Sequence, residues 1–217
     1  MIPVFLNIKE HNRMGLTVVS YLALDVETPN ARADALCSIG VVYKEYGETV
    51  FEREYLVNPE THFDPFNIDI HGITPSMVYD APTFPEIWEE IAPYAQRMPV
   101  LAHNAVFDLS VITRTLERYG IAAPVFQYIC TCRLAQRHIE KSRFGNHRLN
   151  TLCDGLQLPL TRHHNALYDA QACAALFDLL LDHYGVDEAD LRQYPAAKKT
   201  PKRAASKKKA QEHTLEG

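Results

Sequence analysis

A mixed-sheet α/β domain is predicted by three features of this 217-residue chain. Residues 18–26 form a nearly unbroken apolar run with β-branched members, as in a central strand buried on both faces. Residues 37–57 read as two strands around a tight turn. Beyond Pro59, helical periods alternate with short apolar runs, the pattern of strands joined through helices. Apolar residues make up 47% of the chain and charged residues 23%, which excludes collagen-like, coiled-coil and wholly disordered classes.

Each element follows from local chemistry. Residues 37–46 form the second strand, Gly47-Glu48 a turn, and residues 49–57 a third strand. In that third strand Glu52 and Glu54 alternate with Phe51, Arg53 and Tyr55, which predicts a half-exposed edge. Thr74-Pro75 places a capping residue ahead of proline and predicts a short helix; a longer one runs over residues 84–97, interrupted or ended near Pro93. Residues 99–102 are a fourth strand. Asn104 would cap a helix reaching Tyr119, with Gly120 as its stop. Residues 125–130 are a fifth strand, followed by helical stretches at 131–139 and 149–156. In the last strong helix, residues 166–184, Ala166, Ala170, Cys173, Phe177, Leu180 and Tyr184 share one stripe, and Gly185 closes it.

The net charge of −5 conceals two unlike parts. Residues 196–217 hold seven Lys/Arg against two Asp/Glu, leaving fifteen against twenty-five in the preceding 195 residues. The expected organisation is a folded domain over residues 1–194 and a disordered basic tail over 195–217, whose lysines can contact nucleic acid without reading sequence. No apolar run approaches the ~20 residues that span a bilayer, and residues 1–15 lack the order of a secretory signal. Five cysteines without a Cys-x-x-Cys spacing fit a reducing compartment, so a soluble cytoplasmic protein is expected.

Four acids carry the chemistry. Asp25 and Glu27 sit two apart at the carboxyl end of the most apolar strand and therefore point to the same face. Asp108 lies in the first turn of its helix, with Ile112, Thr115 and Leu116 following on the buried side. Asp169 precedes Cys173, Leu176 and Leu180 in the same way. Each of the two helical acids also suits the positive end of a helix dipole. Together, however, four inward-facing acids call for neutralisation, and hard oxygen ligands suit Mg²⁺ or Mn²⁺. Two such ions ~3.5–4 Å apart support phosphodiester hydrolysis. His164, five residues before Asp169, is placed to accept a proton from an attacking water, and His163 is its neighbouring rival.

Asp25-Val26-Glu27-Thr28, His103-Asn104-Ala105-Val106-Phe107-Asp108 and His164-Asn165-Ala166-Leu167-Tyr168-Asp169 resemble, in order and spacing, the three motifs of the DEDDh family of 3′→5′ exonucleases. That group includes the proofreading ε subunit of bacterial DNA polymerase III and ribonuclease T. Ile70-His71-Gly72-Ile73-Thr74 is similar to a segment of its ε-like branch. The resemblance implies a ribonuclease H-like fold with a five-stranded sheet of order 3-2-1-4-5. It also implies two metals held by Asp25, Glu27, Asp108 and Asp169, and His164 rather than His163 as general base. Thr28 would then lie near the terminal 3′-hydroxyl, and backbone beside Val26 would shape the nucleotide site. Phe107, with Phe66, Phe144 and Tyr168, offers a stacking surface for bases. Many members continue the first motif with Thr-Gly, whereas Pro29-Asn30 stands here and fixes the loop differently. The expected activity is metal-dependent release of nucleoside 5′-monophosphates from single-stranded 3′ ends. DNA is the favoured polymer, and a polymerase is a conceivable partner. An RNA-trimming enzyme and a non-catalytic nucleic-acid-binding adaptor are the alternatives.

Overall fold

A computed structural model describes residues 20–195. Its elements are β1 (Ser20–Glu27), β2 (Ser38–Glu45), β3 (Glu48–Leu56), α1 (Pro65–His71), a 3₁₀ turn (Pro75–Met77), α2 (Phe84–Ala95), β4 (Val100–Ala102), α3 (Val106–Arg118), β5 (Phe126–Cys130), α4 (Thr131–His138), α5 (Lys141–Phe144), α6 (Leu149–Leu156), α7 (Ala166–Tyr184) and β6 (Arg192–Tyr194). One sheet of order β3-β2-β1-β4-β5-β6 organises them. The β1–β2 and β2–β3 pairs are antiparallel, β1–β4 and β4–β5 parallel, and β5–β6 antiparallel. The fold class is the expected one, with one correction: the sheet has six strands, because Arg192–Tyr194 adds an edge beside β5. Three polar and aromatic residues ahead of Pro195 carry no apolar alternation, so their pairing follows from tertiary contact alone.

β1 owes its continuous apolar run to layers on both sides. Leu22, Leu24 and Val26 enter a core with Phe84, Ile87, Trp88 and Ile91 of α2 and Leu109 and Ile112 of α3. Tyr21 and Ala23 face Cys173, Leu176, Phe177 and Leu180 of α7. The alternation that assigns Tyr21 and Ala23 to α7 also assigns Asp25 and Glu27 to that side. Leu22, Leu24, Leu109, Ile112, Leu176 and Phe177 are fully excluded from solvent. At ~1.5–3 kcal/mol per large apolar side chain, these two layers are the principal force holding the strand ends in place.

Other sequence expectations meet corrections. α2 ends at Ala95, two residues past Pro93, short of the residue 97 expected. Asn104 is not a side-chain cap for α3: it adopts a left-handed conformation at φ 77° while Ala105 occupies the cap position. Tyr184 leaves the buried stripe of α7, being 42% exposed and stacked on His138 at 4.6 Å. Helices α1 and α5, seven and four residues long, went unforeseen because neither buries a residue and so neither has a periodic apolar face. Among the described residues no helix is long and apolar enough to cross a membrane. The boundary expected after residue 194 falls at the limit of the described residues, and the basic stretch 196–217 lies outside them.

Candidate active site

The parallel strands β1 and β4 end side by side at the point where strand order departs in opposite directions, the place where open α/β sheets form crevices. A cleft of about 310 Å³ opens there. Asp25 and Glu27 reach it from β1, Asp108 from the first turn of α3 and Asp169 from the first turn of α7. Carboxylate oxygens of Asp25, Glu27 and Asp169 lie within 4.8 Å of one another. Asp108 stands beside them, with its Oδ1 accepting the Val26 backbone N–H at 3.3 Å. All four acids predicted from sequence are therefore brought to one cleft.

Two features of packing bring α7 close enough. Gly40 is the cross-strand partner of Asp25. A Cβ there would stand 2.1 Å from the Ala166 carbonyl oxygen and 2.3 Å from the Leu167 nitrogen, so only glycine lets the helix start rest on the sheet. Asn165 then caps the helix, its Oδ1 accepting from the Tyr168 N–H at 3.2 Å. Its Nδ2 donates to both carboxylate oxygens of Glu54 on β3, at 2.9 and 3.1 Å, and Ser38 Oγ donates to the same carboxylate. Sequence reasoning passed over Gly40, although an isolated glycine in an otherwise β-branched strand is the signal of close backbone approach.

Glu27, Asp108 and Asp169 are only 8%, 2% and 3% exposed, and Asp25 is half-buried. Burial, then Asp108, Glu27 and Asp169, push the Asp25 carboxyl well above the usual range. Burial, then Asp169 and Asp108, bring Glu27 up to about 8. Burial likewise brings Asp108 up to about 8, with the Asp169 charge adding to it and backbone N–H donation opposing it. Among the described residues no Lys or Arg lies within 4.0 Å of any of these carboxylates. Packing hard, mutually repelling oxygen donors with no Lys or Arg in contact fits divalent cations of the Mg²⁺ or Mn²⁺ type.

The two histidines divide unequally. His163 Nδ1 lies 2.9 Å from Asp169 Oδ1, and the backbone N–H of His164 donates to Asp169 Oδ2 at 2.8 Å. The rings stack 3.9 Å apart. His164 adopts φ 66°, a left-handed conformation that places both imidazoles on the cleft wall. Burial, followed by the His163 charge, lowers the His164 pKa, with Asp169 acting in opposition. Nearest to Asp169 by direct contact is thus His163, whereas His164 presents a ring free of that bond.

Of the substrate residues expected from sequence, Val26 and Phe107 line the cleft and Phe107 is 43% exposed. Thr28 does not line it. Its carbonyl accepts from Asn67 Nδ2 at 2.9 Å and lies 3.2 Å from His71 Nε2, and its hydroxyl accepts from Asn67 at 3.3 Å, so α1 takes up both groups. The Pro29-Asn30 departure is accommodated the same way: the Pro29 carbonyl accepts from the Asp64 N–H and Asn30 Nδ2 donates to the His62 carbonyl. Arg148, unforeseen from sequence, also lines the cleft.

The family model described as exonuclease, of the ribonuclease T type, matches residues 22–177. The chain is 33% identical over 159 residues to the PolC-type DNA polymerase III of Oceanobacillus iheyensis and 32% over 164 residues to that of Bacillus cereus. These alignments cover 72% and 75% of this chain and 11% of each polymerase, so the chain spans about a ninth of the relatives' length. Among solved structures, Exonuclease X in complex with 5′ overhanging duplex DNA superposes with a TM-score of 0.64 at 27% identity, covering 79% of this chain and 96% of that one. The nuclease domain of 3′hExo, a DEDDh family member bound to rAMP, shares the fold with a TM-score of 0.67 at 17% identity, covering 83% and 98%. A model match over most of the chain, falling on the elements that deliver the four acids, shows that the chain belongs to the DEDDh family of 3′→5′ exonucleases.

Proposed function

We propose that this exonuclease domain removes nucleotides one at a time from the 3′ end of single-stranded nucleic acid, with DNA as the favoured polymer. The observation that carries the reading is the convergence of Asp25, Glu27 and Asp169 oxygens within 4.8 Å, with Asp108 adjoining, at the mouth of an open cleft. Members of the family depend on divalent metal in general. Here Asp25, Glu27, Asp108 and Asp169 would hold two ions, Mg²⁺ or Mn²⁺. Bound there, such ions lower the pKa of a water and stabilise charge on the leaving oxygen.

The residues of the chain supply the rest. His164, kept neutral by its surroundings, accepts the proton of the attacking water as oxygen adds to phosphorus. The bond from phosphorus to the 3′-oxygen of the preceding nucleotide breaks. The leaving 3′-oxygen takes a proton from solvent, so the shortened strand keeps a 3′-hydroxyl, and the terminal unit departs as a nucleoside 5′-monophosphate. Val26 and Phe107 form the walls that receive the terminal nucleotide, and Phe107 offers a face to its base. Thr28 acts through the backbone path that α1 fixes. A frayed end suits an open cleft because no unpairing is needed. Favouring DNA rests on likenesses above 25% identity to DNA polymerases and to an exonuclease bound to DNA. The five free thiols fit a cytoplasmic setting.

The test is incubation of 5′-labelled single-stranded DNA and RNA with Mg²⁺, Mn²⁺ or chelator. The expected result is a ladder shortening from the 3′ end, faster on DNA and abolished by chelator and by Asp25→Ala. Binding without shortening would replace the enzyme with an adaptor, and faster loss of RNA would reassign the polymer.

A further inference from the structure

Among the residues lining the cleft, Arg148 is the one Arg or Lys. Among the described residues no Asp or Glu lies within 4.0 Å of its guanidinium, although four carboxylates share the cleft with it. A long cation beside buried acids would ordinarily fold onto one of them. Arg148 instead stands on a braced stretch of backbone. Its N–H donates to Asn146 Oδ1 at 2.9 Å, and its carbonyl accepts from the Leu152 N–H at 3.0 Å as α6 begins. The preceding residue is pinned at both ends. The His147 carbonyl lies 2.8 Å from His103 Nε2, and His147 Nε2 lies 2.8 Å from the Ile139 carbonyl. His103 is itself set by Thr131 Oγ1 at 3.0 Å, and Leu149, immediately after Arg148, is 5% exposed and anchored in the core beneath α7. Arg148 is exposed at the cleft, and among the described residues its guanidinium has no acidic partner.

Charge balance gives it a role. Two divalent ions formally neutralise four carboxylates, which leaves Arg148 as the cleft's surplus positive group. A polyanionic strand approaching a wall of acids needs such a group, and a planar guanidinium matches a phosphate with two parallel hydrogen bonds. The geometry points to Arg148 as a substrate-binding residue that grips a backbone phosphate of the single strand, with His103 as the positioning residue that holds the segment presenting it. The inference rests on the exonuclease reading of the same cleft and adds to it the residue that binds the strand's charge.

The experiment is fluorescence anisotropy of 5′-labelled oligo-dT and oligo-dA with the full chain in Ca²⁺, over a salt series, comparing the native protein with Arg148→Gln and Arg148→Lys. Thermal melts confirm that the variants are folded. Arg148→Gln is expected to weaken binding about tenfold on both sequences, and its plot of log affinity against log salt should be shallower by about 0.7, the loss of one phosphate contact on a single strand. Arg148→Lys should keep the native slope with an intermediate affinity. In turnover, Arg148→Gln should raise KM more than it lowers kcat. An unchanged salt slope for Arg148→Gln overturns the assignment, whatever the affinity does. A native protein that binds oligo-dT but shortens nothing sinks the exonuclease reading alone. One that shortens it while Arg148→Gln retains the native slope sinks this inference alone, and one that neither binds nor shortens sinks both.

Discussion

His163 and His164 compete for one task within 3.9 Å of each other, and the difference between them lies in what each already does. The ring of His163 is committed to Asp169 Oδ1, whereas His164 commits its backbone N–H to Asp169 Oδ2 and leaves its imidazole available. A proton acceptor must be neutral and unencumbered, and burial with the adjacent His163 keeps the His164 pKa below its ordinary value. His164→Ala is therefore expected to lower kcat by ~10²–10⁴-fold, with Mn²⁺ binding by calorimetry close to native. His163→Ala should lower kcat much less. Single-turnover kinetics of the two variants on oligo-dT decide between them; the reverse order would transfer the role of base to His163. The spacing to Asp169 favours His164 through family resemblance, but the contact of His163 was invisible in the sequence because adjacent histidines differ only in how a left-handed turn aims them.

Gly40 and Asn165 show how elements rather than ligands set the site. At Gly40 the backbone at the start of α7 lies directly against β2, so Gly40→Ala must push Ala166 and Leu167 outward and carry Asp169 away from Asp25. Overpacking of this kind costs ~1–3 kcal/mol, and more where backbone is the obstacle. Gly40→Ala should thus melt at lower temperature and lose activity even at saturating Mn²⁺. Full activity in a folded Gly40→Ala protein would mean that the helix start is not a fixed part of the site. Asn165→Ala removes a cap and the two bonds to Glu54, with an expected loss of ~0.5–2 kcal/mol in chemical denaturation. A loss near zero would show that Glu54 does not tether the helix. These elements also mark how far the sequence could be read. Continuous apolar residues in β1 and the i, i+4 stripe of α7 declared themselves, and with them the positions of Asp25, Glu27 and Asp169. The carboxyl-end location of Asp108 followed from its place in a first turn. What stayed hidden depends on contact between distant segments: the glycine beneath α7, the grip of α1 on Thr28, the pairing of β6 and the segment that presents Arg148. None of these has a period or a propensity of its own.

At the scale of the whole molecule, the sheet invests its stability in bringing like charges together. Two cores hold β1 from opposite sides, and that rigidity keeps Asp25, Glu27, Asp108 and Asp169 in place against their repulsion. Glu27 and Asp108, brought to about 8 from ordinary values near 4, bind more protons folded than unfolded at intermediate pH. Stability with respect to these groups is fully present below pH ~4 and is lost as pH rises through about 8, since the slope of unfolding free energy with pH follows the excess of protons on the unfolded chain. Differential scanning fluorimetry in chelator should accordingly show the melting temperature falling from pH 5 to pH 9. Mn²⁺ should raise it more at pH 8 than at pH 5, where protons compete for the same oxygens. Asp108→Asn keeps an acceptor for the Val26 N–H but removes one charge. It is expected to melt roughly 2–4 °C higher than the native protein in chelator at pH 8, the shift that corresponds to ~1 kcal/mol in a domain of this size, while losing exonuclease activity. A metal-free melting temperature that is flat or rises over that pH range, or an Asp108→Asn variant less stable than native at pH 8, would mean that the four acids do not strain the fold and that their gathering needs an explanation other than cation binding.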